Sequence, residues 1–401
     1  MRCEVSLAST AEHGSRSRYP EILTEDAVMQ RDKLTVLISG AGIAGATLAT
    51  LLGRSGHRVT VVERDQGVRS SGNPVDVRGA AYQVAERLGV LSRLQDAATK
   101  VRVLIFVDAA GRRVASMRTR QSEDRELEVP RTDLTSILLE AGRDDAEFLF
   151  DEMITALDPD SDGVNVRFDH AAARRFDFVV GADGIHSGVR RLAFGPETDF
   201  ARHLGMYVAT AKLGLPLERD DAVIMHNEPG TAVALHPGTG TSGVAFLFRS
   251  TARIDHRNAE AGRQLLRETY RNVGWRTPEL LAAYCAADDV YFDSVTRIRM
   301  SCWSRGRVTL VGDAASCVSL FGDGSSSAIE GAATLASTLS STPTSSARDI
   351  PSALARYESA HRIVIRPRQR LVWIASHLLI PQSRLGMAVR DQALRITGRR
   401  E

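Results

Sequence analysis

Three short motifs of glycine and acidic residues carry the chemistry that this chain can be expected to perform. The first places Gly40, Gly42 and Gly45 in the order GxGxxG. In such a motif the first glycine permits a tight turn, the second lets a pyrophosphate approach the backbone, and the third lets a helix pack closely on a strand. Ala182-Asp183-Gly184 and Val311-Gly312-Asp313-Ala314 follow later in the chain. Together the three motifs predict a protein that folds around a dinucleotide.

The elements around the first motif match that prediction. Residues 34–38 form an apolar β-prone run and residues 46–52 have the pattern of a helix, so a phosphate would meet a helix N-terminus. A second strand over residues 57–62 ends at Glu63, close to the roughly 20-residue spacing at which an acid meets a ribose hydroxyl. This carboxylate favours FAD or NAD and would repel the 2′-phosphate of NADP. We assign the adjacent Arg64 to the same cofactor site.

Residues 238–243 repeat the glycine pattern without its context. The residues that follow, 244–248, have the pattern of a strand and not of a helix, so no helix N-terminus is available for a phosphate. We interpret this second match as a hairpin turn.

Composition favours a globular enzyme of the cytoplasm. The 51 basic and 49 acidic residues leave a formal charge of +2, so no bulk field favours nucleic acid or an anionic membrane. The four cysteines lack the paired spacing of metal or redox sites, which indicates a reducing compartment and predicts no metal. No run reaches the roughly 18 apolar residues of a membrane span. The adjacent Arg190 and Arg191 are interpreted as solvated or phosphate-facing.

The first residues of the chain do not fit the predicted fold. Residues 1–32 mix Ser, Arg, Glu and Pro and lack the apolar core of a secretory signal, so they predict a disordered leader. Met29 is an alternative translation start, which would leave residues 1–28 untranslated.

The order of these motifs resembles the group A flavoprotein monooxygenases, and most closely their tetracycline-modifying branch. The resemblance rests on GAGIAG at residues 40–45, VPRTDL at 129–134, GADGIHSGVRR at 181–191 and GDAASCVSLFGDGSSSAIEGA at 312–332. It extends over about residues 34–395. It implies an α/β fold of the p-hydroxybenzoate hydroxylase type: a Rossmann-type FAD-binding domain with a mixed sheet, an antiparallel β-sheet substrate domain and a C-terminal helical segment.

The resemblance also implies roles for single residues. Arg131 would reach the dinucleotide phosphates or the ribityl chain, a task that suits a planar bidentate donor. Asp76 would lie beside the flavin, and Asp183 near FAD and the passing nicotinamide cofactor. Asp313 would hold a ribityl hydroxyl. Further cofactor contacts are assigned to Arg69, Arg78, Gly312, Gly324 and Ser325.

A predicted helix over residues 325–338 follows the third motif. Its N-terminal amides would face the flavin pyrimidine and stabilise the anionic reduced form. The preceding loop departs from the commoner family pattern, because Ser316, Val318 and Leu320 stand where relatives often have His and Pro. Without prolines the loop is expected to be less rigid. The Asp323 carboxylate is expected to oppose negative charge on the reduced flavin.

Alternating residues in the second half of the chain predict an antiparallel substrate sheet. Its expected strands cover residues 205–213, 222–226, 232–236 and 243–249, followed by a helix over 259–273. Substrate would lie between this sheet and the flavin, with Met225, Phe246 and Phe248 as walls or, alternatively, as ordinary core. His226 and His236 are candidate bases for a phenol, or structural histidines.

These patterns divide the chain into expected segments. Residues 33–200 and 301–340 would form the FAD-binding domain, and residues 201–300 the substrate domain. Residues 341–401 would supply a linker and helices, with Pro367 kinking or dividing a helical pattern. This tail would cover the FAD domain or form a dimer contact, so a monomer and a homodimer both stay open.

We therefore expect an FAD-dependent monooxygenase that hydroxylates an aromatic or polyketide-type small molecule with NADH or NADPH and O2. As the resemblance implies, a flavin C4a-hydroperoxide would deliver the oxygen, the nicotinamide cofactor would bind transiently, and no side chain is assigned as catalytic. One alternative is a redox-neutral cyclase that uses FAD as a structural wall. Another is a flavoprotein that binds a ligand without turnover. No nucleic-acid, membrane or metal partner is expected.

Overall fold

The computed structural model describes residues 33–67, 74–118, 125–215, 219–237, 242–255, 257–317, 323–341 and 349–397. In chain order the strands are β1 (Thr35–Ser39), β2 (Arg58–Glu63), β3 (Pro74–Arg78), β4 (Val103–Val107), β5 (Arg113–Arg118), β6 (Glu126–Pro130), β7 (Glu147–Phe150), β8 (Ile154–Pro159), β9 (Val164–Phe168), β10 (Arg174–Phe176), β11 (Phe178–Gly181), β12 (Ala201–Lys212), β13 (Ala222–Glu228), β14 (Thr231–Pro237), β15 (Ser242–Arg249), β16 (Val290–Ile298), β17 (Ser304–Arg305) and β18 (Val308–Leu310). The helices are α1 (Ile43–Arg54), α2 (Ala80–Arg87), α3 (Leu91–Ala97), α4 (Arg131–Ala141), α5 (Gly188–Ala193), α6 (Glu197–Phe200), α7 (Ala259–Tyr270), α8 (Thr277–Ala286), α9 (Asp313–Ser316), α10 (Asp323–Ser341), α11 (Ile350–Leu379) and α12 (Arg384–Thr397).

A six-stranded sheet in the order β17-β18-β11-β1-β2-β7 carries the three glycine motifs. Its strands from β18 to β7 pair in parallel, and β17 pairs antiparallel with β18. Residues 36–38 and 178–180 are fully buried, as continuous apolar runs in a covered parallel sheet should be. Because parallel strands share one direction, their carboxyl ends bring Ser39, Glu63 and Gly181 to a single edge.

A seven-stranded sheet in the order β16-β12-β15-β14-β13-β4-β5 forms the second layer. In this sheet β12 pairs with β15, β15 with β14, and β14 with β13. All three pairs are antiparallel, as the alternating pattern predicts. β4 joins this sheet in parallel with β13, and β5 pairs with β4. The sheet therefore includes residues 103–118, which lie outside the expected 201–300 substrate segment.

A two-stranded ribbon of β3 and β6 lies beside α10. In its antiparallel register Asp76 is directly opposite Glu128, and Arg78 is opposite Glu126. Alternate residues of a strand point to the same face, so the ribbon displays these four charged side chains together. A separate three-stranded sheet contains β8, β9 and β10.

Two local expectations have different outcomes. β14 and β15 pair antiparallel on either side of residues 238–241, in agreement with a hairpin, although those four residues lie outside the described part of the chain. α11 continues through Pro367 for 30 residues, so the helix is not divided there. A proline removes one backbone donor, and the packing of α11 on α10 and β17 offsets that loss.

Other expectations fall on residues that are not described. They are the leader 1–32, the cofactor contact Arg69, and the loop positions Val318 and Leu320. Among the described residues, no helix combines the length and the apolar character that crossing a bilayer requires.

Candidate active site

The first two glycine motifs meet at the carboxyl edge of the parallel sheet. Gly40 has a φ of +101°, and a Cβ there would lie 2.6 Å from the carbonyl oxygen of Ala182. A Cβ at Gly45 would overlap the carbonyl oxygen of Gly40. Both positions require glycine, because any side chain would push the motifs apart. At Gly42 a Cβ would meet no other described atom within 4 Å, which leaves space for a phosphate at the N-terminus of α1.

Glu63, the last residue of β2, lies beside the turn that contains Gly40, Gly42 and Gly45, which we call the glycine cradle. Its Oε2 accepts a hydrogen bond from the backbone N–H of Ala41 at 2.9 Å, and its Oε1 accepts one from Asp65 at 3.1 Å. The carboxylate is therefore held beside the glycine turn, where a ribose hydroxyl would bind. Arg64 and Arg131 line the same cavity, Arg131 as the first residue of α4. Their guanidinium groups are suitable donors for a pyrophosphate.

Asp183 fixes the shape of the second motif. Its Oδ2 accepts hydrogen bonds from the backbone N–H of Val189 at 3.0 Å and from the Ser39 hydroxyl at 3.4 Å. The Ser187 hydroxyl donates to its other carboxylate oxygen. Gly184 follows with a φ of +77°. Asp183 also lines the cavity. The carboxylate that orders this loop is therefore also placed to contact a ligand in the cavity.

The third motif packs directly on α1. Gly312 has a φ of +63°, and a Cβ there would lie 3.0 Å from an alanine Cβ of α1. Asp313 begins α9 and lines the cavity, as do Gly324 and Ser325 in the first turn of α10. The Ser325 hydroxyl donates to the carbonyl oxygen of Asp76 at 2.7 Å. This contact joins the N-terminal end of α10 to the charged ribbon.

The β3–β6 ribbon presents coupled charges to the cavity. Burial, followed by the facing Glu128 carboxylate, raises the pKa of Asp76 to about 7, and Arg78 opposes that shift. Arg78 pairs with Glu126 at 3.4 Å and with Asp323. Asp76 is therefore partly protonated near neutral pH. The Asp323 carboxylate is neutralised by Arg78, which weakens the opposition to a reduced flavin that the sequence led us to expect.

One cavity of about 1210 Å³ joins the glycine cradle to the seven-stranded sheet. A drug-sized ligand usually occupies roughly 300–1,000 Å³, so this volume suits a dinucleotide together with part of a second ligand. Apolar side chains of the sheet and of the C-terminal helices form the wall opposite the cradle. They include Phe106, Val208, Met225, Ala234, Ala245, Leu247, Leu378, Leu379 and Leu394.

Of the three expected substrate walls, Met225 lines the cavity, whereas Phe246 and Phe248 do not. Both phenylalanines are fully buried on the opposite face of the sheet, in the apolar core under α7 and α8. Successive strand residues point to opposite faces, so Ala245 and Leu247 line the cavity instead. Of the two alternatives for Phe246 and Phe248, the structure agrees with ordinary core and not with a wall of the cavity.

The two candidate histidines also lie in different surroundings. His236 lines the cavity, with Nε2 3.2 Å from Oε1 of Glu128 and Nδ1 2.8 Å from the carbonyl oxygen of Pro237. His226 is buried, and its Nδ1 lies 3.0 Å from the carbonyl oxygen of Val107. His236 is therefore the histidine that can meet a ligand, and His226 is structural.

His186 is a cavity residue that sequence reasoning missed. Its Nδ1 lies 3.0 Å from Glu197, and its Nε2 lies 3.2 Å from Asp293 of β16. Burial lowers the pKa of His186, but the hydrogen bonds to Asp293 and Glu197 outweigh it and raise that pKa to about 9. A cationic imidazole therefore links the second motif to the substrate sheet. No spacing pattern reveals such a role, because Asp293 lies 107 residues along the chain and Glu197 belongs to a separate helix.

Arg190 is fully buried, which corrects its interpretation as solvated or phosphate-facing. Its guanidinium donates to Oε2 of Glu197 at 2.9 Å and to the carbonyl oxygen of Ala314 at 3.0 Å. Arg190 therefore ties the second motif to the third. The adjacent Arg191 is exposed and lines the cavity, since consecutive helix residues point in different directions.

The C-terminal helices cover both layers. α11 packs on α10 and β17, whereas α12 packs on β5 at the end of the substrate sheet. Arg390 and Leu394 of α12 line the cavity. The Arg390 guanidinium lies 4.1 Å from the centre of the Phe106 ring and donates to Oδ1 of Asn227 at 3.0 Å. The tail therefore forms part of the cavity wall as well as covering the parallel sheet.

Comparisons with known proteins agree with this geometry. Residues 33–367 match the family model of the FAD binding domain. An uncharacterized protein of Mycobacterium tuberculosis (strain H37Rv) is 41% identical over 316 residues, which cover 76% of this chain and 84% of that protein. A flavin-dependent monooxygenase of Legionella longbeachae serogroup 1 (strain NSW150) is 30% identical over 355 residues, covering 86% and 90%. The crystal structure of tetracycline destructase Tet(55) is 30% identical, has a TM-score of 0.79 and covers 91% of this chain and 96% of its own.

FAD is therefore the dinucleotide of this protein. The cradle suits it, since Gly42 leaves space at a helix N-terminus, Glu63 stands where a ribose hydroxyl binds, and the arginines are donors for phosphates. The fold and these relatives agree with the family resemblance of the motifs. The chain belongs to the group A FAD-dependent monooxygenases, oxidoreductases with the p-hydroxybenzoate hydroxylase type of fold.

Proposed function

We propose that this chain hydroxylates an aromatic or polycyclic polyketide-type small molecule, using O2 and either NADH or NADPH. The observation that carries the proposal is the continuity of the cavity, in which the glycine cradle, the charged ribbon and the apolar sheet wall share one space. A substrate on the sheet wall would lie next to the flavin, which makes transfer between them effectively intramolecular. The name of the relative Tet(55), a tetracycline destructase, supports a polycyclic ligand.

When bound, FAD supplies the redox chemistry and the activation of O2, so the chain's own residues bind, orient and exclude water. Apolar side chains such as Met225, Ala245 and Leu247 offer an aromatic ring a surface that water leaves readily. The sequence has no second GxGxxG motif in a strand-to-helix turn, which supports transient binding of the nicotinamide cofactor in the same cavity.

His236 is the side chain that we propose as the base for a substrate hydroxyl. Its Nδ1 faces a backbone carbonyl and therefore donates, which fixes the ring and directs Nε2 towards Glu128 and the cavity. In a ring whose Nδ1 carries the hydrogen, Nε2 has a free lone pair, and this is the atom that can accept a proton from a phenol or enol. We expect His236→Asn to lower kcat/KM for a phenolic substrate by about 10²-fold at unchanged flavin content.

The experiment that tests the reaction uses the flavin-loaded protein, a panel of phenolic polycyclic compounds, NADPH or NADH, and ¹⁸O2. We expect a product that contains one labelled oxygen atom and that does not form when either O2 or the nicotinamide is left out. Product formed without both would contradict the proposal and would identify a redox-neutral cyclase. Product absent across the panel, with the flavin never reduced, would indicate ligand binding without turnover.

A wall variant tests where the substrate lies. Ala245→Phe would fill part of the apolar wall, so we expect a higher KM with unchanged flavin content and unchanged flavin reduction in the absence of substrate. An unchanged KM would place the substrate elsewhere.

A further inference from the structure

One row of side chains crosses the substrate sheet on the face that meets the cavity. Residues directly opposite each other on neighbouring strands share a face of the sheet, so the register of the strands fixes the members of the row. All of them line the cavity except the buried Thr210. From β16 to β4 the row is Tyr291, Thr210, Ala245, Ala234, Met225 and Phe106.

This row forms a trough with a polar end and an apolar end. Ala245 and Ala234 are the small residues in its middle, whereas Tyr291 stands at one end on β16 and Met225 towards the other on β13. These two strands are four spacings apart in the sheet, so about 19 Å separate the Cα atoms of the two end residues. A flat polycyclic ligand can therefore lie across the strands on the two alanines, with one end at Tyr291.

The hydroxyl hydrogen of Tyr291 is already engaged by a neighbour on the same strand. It is donated to Oδ2 of Asp293 at 3.3 Å, and the same carboxylate oxygen lies 3.2 Å from Nε2 of the cationic His186. A carboxylate with two such donors only accepts. The Tyr291 side chain is 37% exposed, and no described residue donates a hydrogen bond to its hydroxyl oxygen. Tyr291 therefore offers a ligand an acceptor and not a donor.

We infer that Tyr291 selects ligands that carry a hydrogen-bond donor, such as a phenol or enol hydroxyl, at the end of the ring system that lies over β16. The inference rests on the proposed function, since it names a feature of the substrate that this cavity would bind. An ether or ketone oxygen at this place would meet the Tyr291 oxygen without a hydrogen between them. Turning the Tyr291 hydroxyl towards such an oxygen would break its hydrogen bond to Asp293.

Tyr291 and His236 serve different parts of such a ligand. His236 is on β14, two residues beyond Ala234, and β14 is three strand spacings from β16, roughly 14 Å. A single small hydroxyl cannot contact both side chains. Tyr291 is therefore a specificity-determining residue, separate from the base that we propose for the reaction.

Equilibrium dialysis tests the inference with two probes of one ring system, 2-naphthol and 2-methoxynaphthalene. The flavin-loaded full chain is used without a nicotinamide, so binding is measured whether or not turnover occurs. A His236→Leu background first removes the other proposed acceptor. In this background we expect 2-naphthol to bind about 3- to 10-fold more tightly than its methyl ether, the range of one net hydrogen bond.

Adding Tyr291→Phe to that background should abolish the preference, because it removes the acceptor oxygen and keeps the ring. Tyr82→Phe is the matched control, at a tyrosine of α2 outside the cavity, and should leave the preference unchanged. Flavin content and unfolding temperature should be the same with and without Tyr291→Phe.

A preference that persists with Tyr291→Phe would overturn the inference, since another group would then recognise the hydroxyl. Equal binding of the two probes in the His236→Leu background, or binding of neither, would overturn it as well. Loss of flavin from the Tyr291→Phe chain would assign the hydroxyl to the cofactor instead. A chain that shows the Tyr291-dependent preference but forms no oxygenated product would contradict the proposed function alone.

Discussion

Asp76 is a cavity residue whose charge depends on the surrounding carboxylates and on burial. Burial and the facing Glu128 raise its pKa to about 7, whereas an unfolded aspartate titrates near about 3.9. Between these values the unfolded chain is ionised while the folded protein keeps the proton. This contribution to stability is therefore fully present below the unfolded pKa and is lost as the pH rises through 7.

We expect Asp76→Asn to raise the unfolding temperature of the flavin-free protein by several degrees at pH 8, because each pKa unit corresponds to about 1.4 kcal/mol. The gain should shrink as the pH is lowered from 7 towards about 4, because the folded protein is then protonated at Asp76 and the unfolded chain begins to take up its proton. Thermal unfolding followed by circular dichroism measures it. Glu126→Gln removes one of the smaller contributions to the raised pKa of Asp76 and also a partner of Arg78, so it should give a smaller gain than Asp76→Asn. A variant less stable than the natural protein at pH 8 would contradict this account of Asp76.

Arg190 should contribute far more to stability than its neighbour. Arg190→Met removes the donor to the Ala314 carbonyl and one of the two cationic partners of the Glu197 carboxylate, the other being His186, so we expect the free energy of unfolding to fall by about 2–4 kcal/mol. Arg191→Met, at an exposed position, should change it by less than about 0.5 kcal/mol. Urea unfolding of the flavin-free variants compares the two. Equal effects would show that Arg190 does not join the motifs.

The sequence reveals residues whose role depends on the local backbone. Gly40 and Gly45 could be recognised because a tight turn and a close helix contact accept no other residue. His186 and Arg190 could not, since their partners Glu197 and Asp293 come near them only in the fold. Phe248 and its neighbours were ambiguous for a different reason. Alternation shows that a strand has two faces, but it does not say which face meets the cavity.

At the scale of elements, α10 and α11 form a tight contact that depends on one glycine. A Cβ at Gly331 would lie 2.9 Å from Nε2 of His361. His361 is buried and stacked on Tyr357, and burial lowers its pKa to about 4. The ring has packed neighbours on other sides and cannot move away freely. The glycine therefore sets how closely the helix beside the flavin site approaches α11.

We expect Gly331→Ala to lower the free energy of unfolding by about 1–3 kcal/mol through overpacking. An alanine in an open helix position would instead stabilise by roughly 1 kcal/mol, so the sign of the effect is diagnostic. In a His361→Ala background the same substitution should become neutral or stabilising. Urea unfolding of the two single variants and the double variant gives the coupling. Stabilisation by Gly331→Ala in the natural background would disprove the contact.

Whether a segment is a strand or a helix could be predicted from its periodicity. Where each element ends and which strands pair with each other could not. The alternating runs gave β12 to β15 correctly, because a half-buried strand must alternate. The sequence predicted that Pro367 would kink or divide the helical pattern; α11 is not divided there, because tertiary packing on α10 and β17 offsets the lost hydrogen bond. β4 and β5 could not be assigned to the substrate sheet, since their pairing joins segments far apart in the chain.

At the scale of the whole molecule, two sheets enclose one cavity and the C-terminal helices complete it. The motif order was sufficient to predict the family and its layered fold, because the motifs encode the cofactor cradle. The contribution of α12 to the substrate wall was not predictable, since it depends on Arg390 reaching Phe106 and Asn227 across the fold. The proposed hydroxylation depends on this enclosed arrangement.

Anaerobic reduction of the bound flavin tests the central claim most directly. If FAD lies between a site for the nicotinamide and an apolar substrate wall, NADPH or NADH should bleach its visible absorbance in the absence of O2. The bleaching should be faster when a phenolic or polycyclic ligand occupies the cavity. Flavin that stays oxidised with both nicotinamides, with and without such a ligand, would contradict the account.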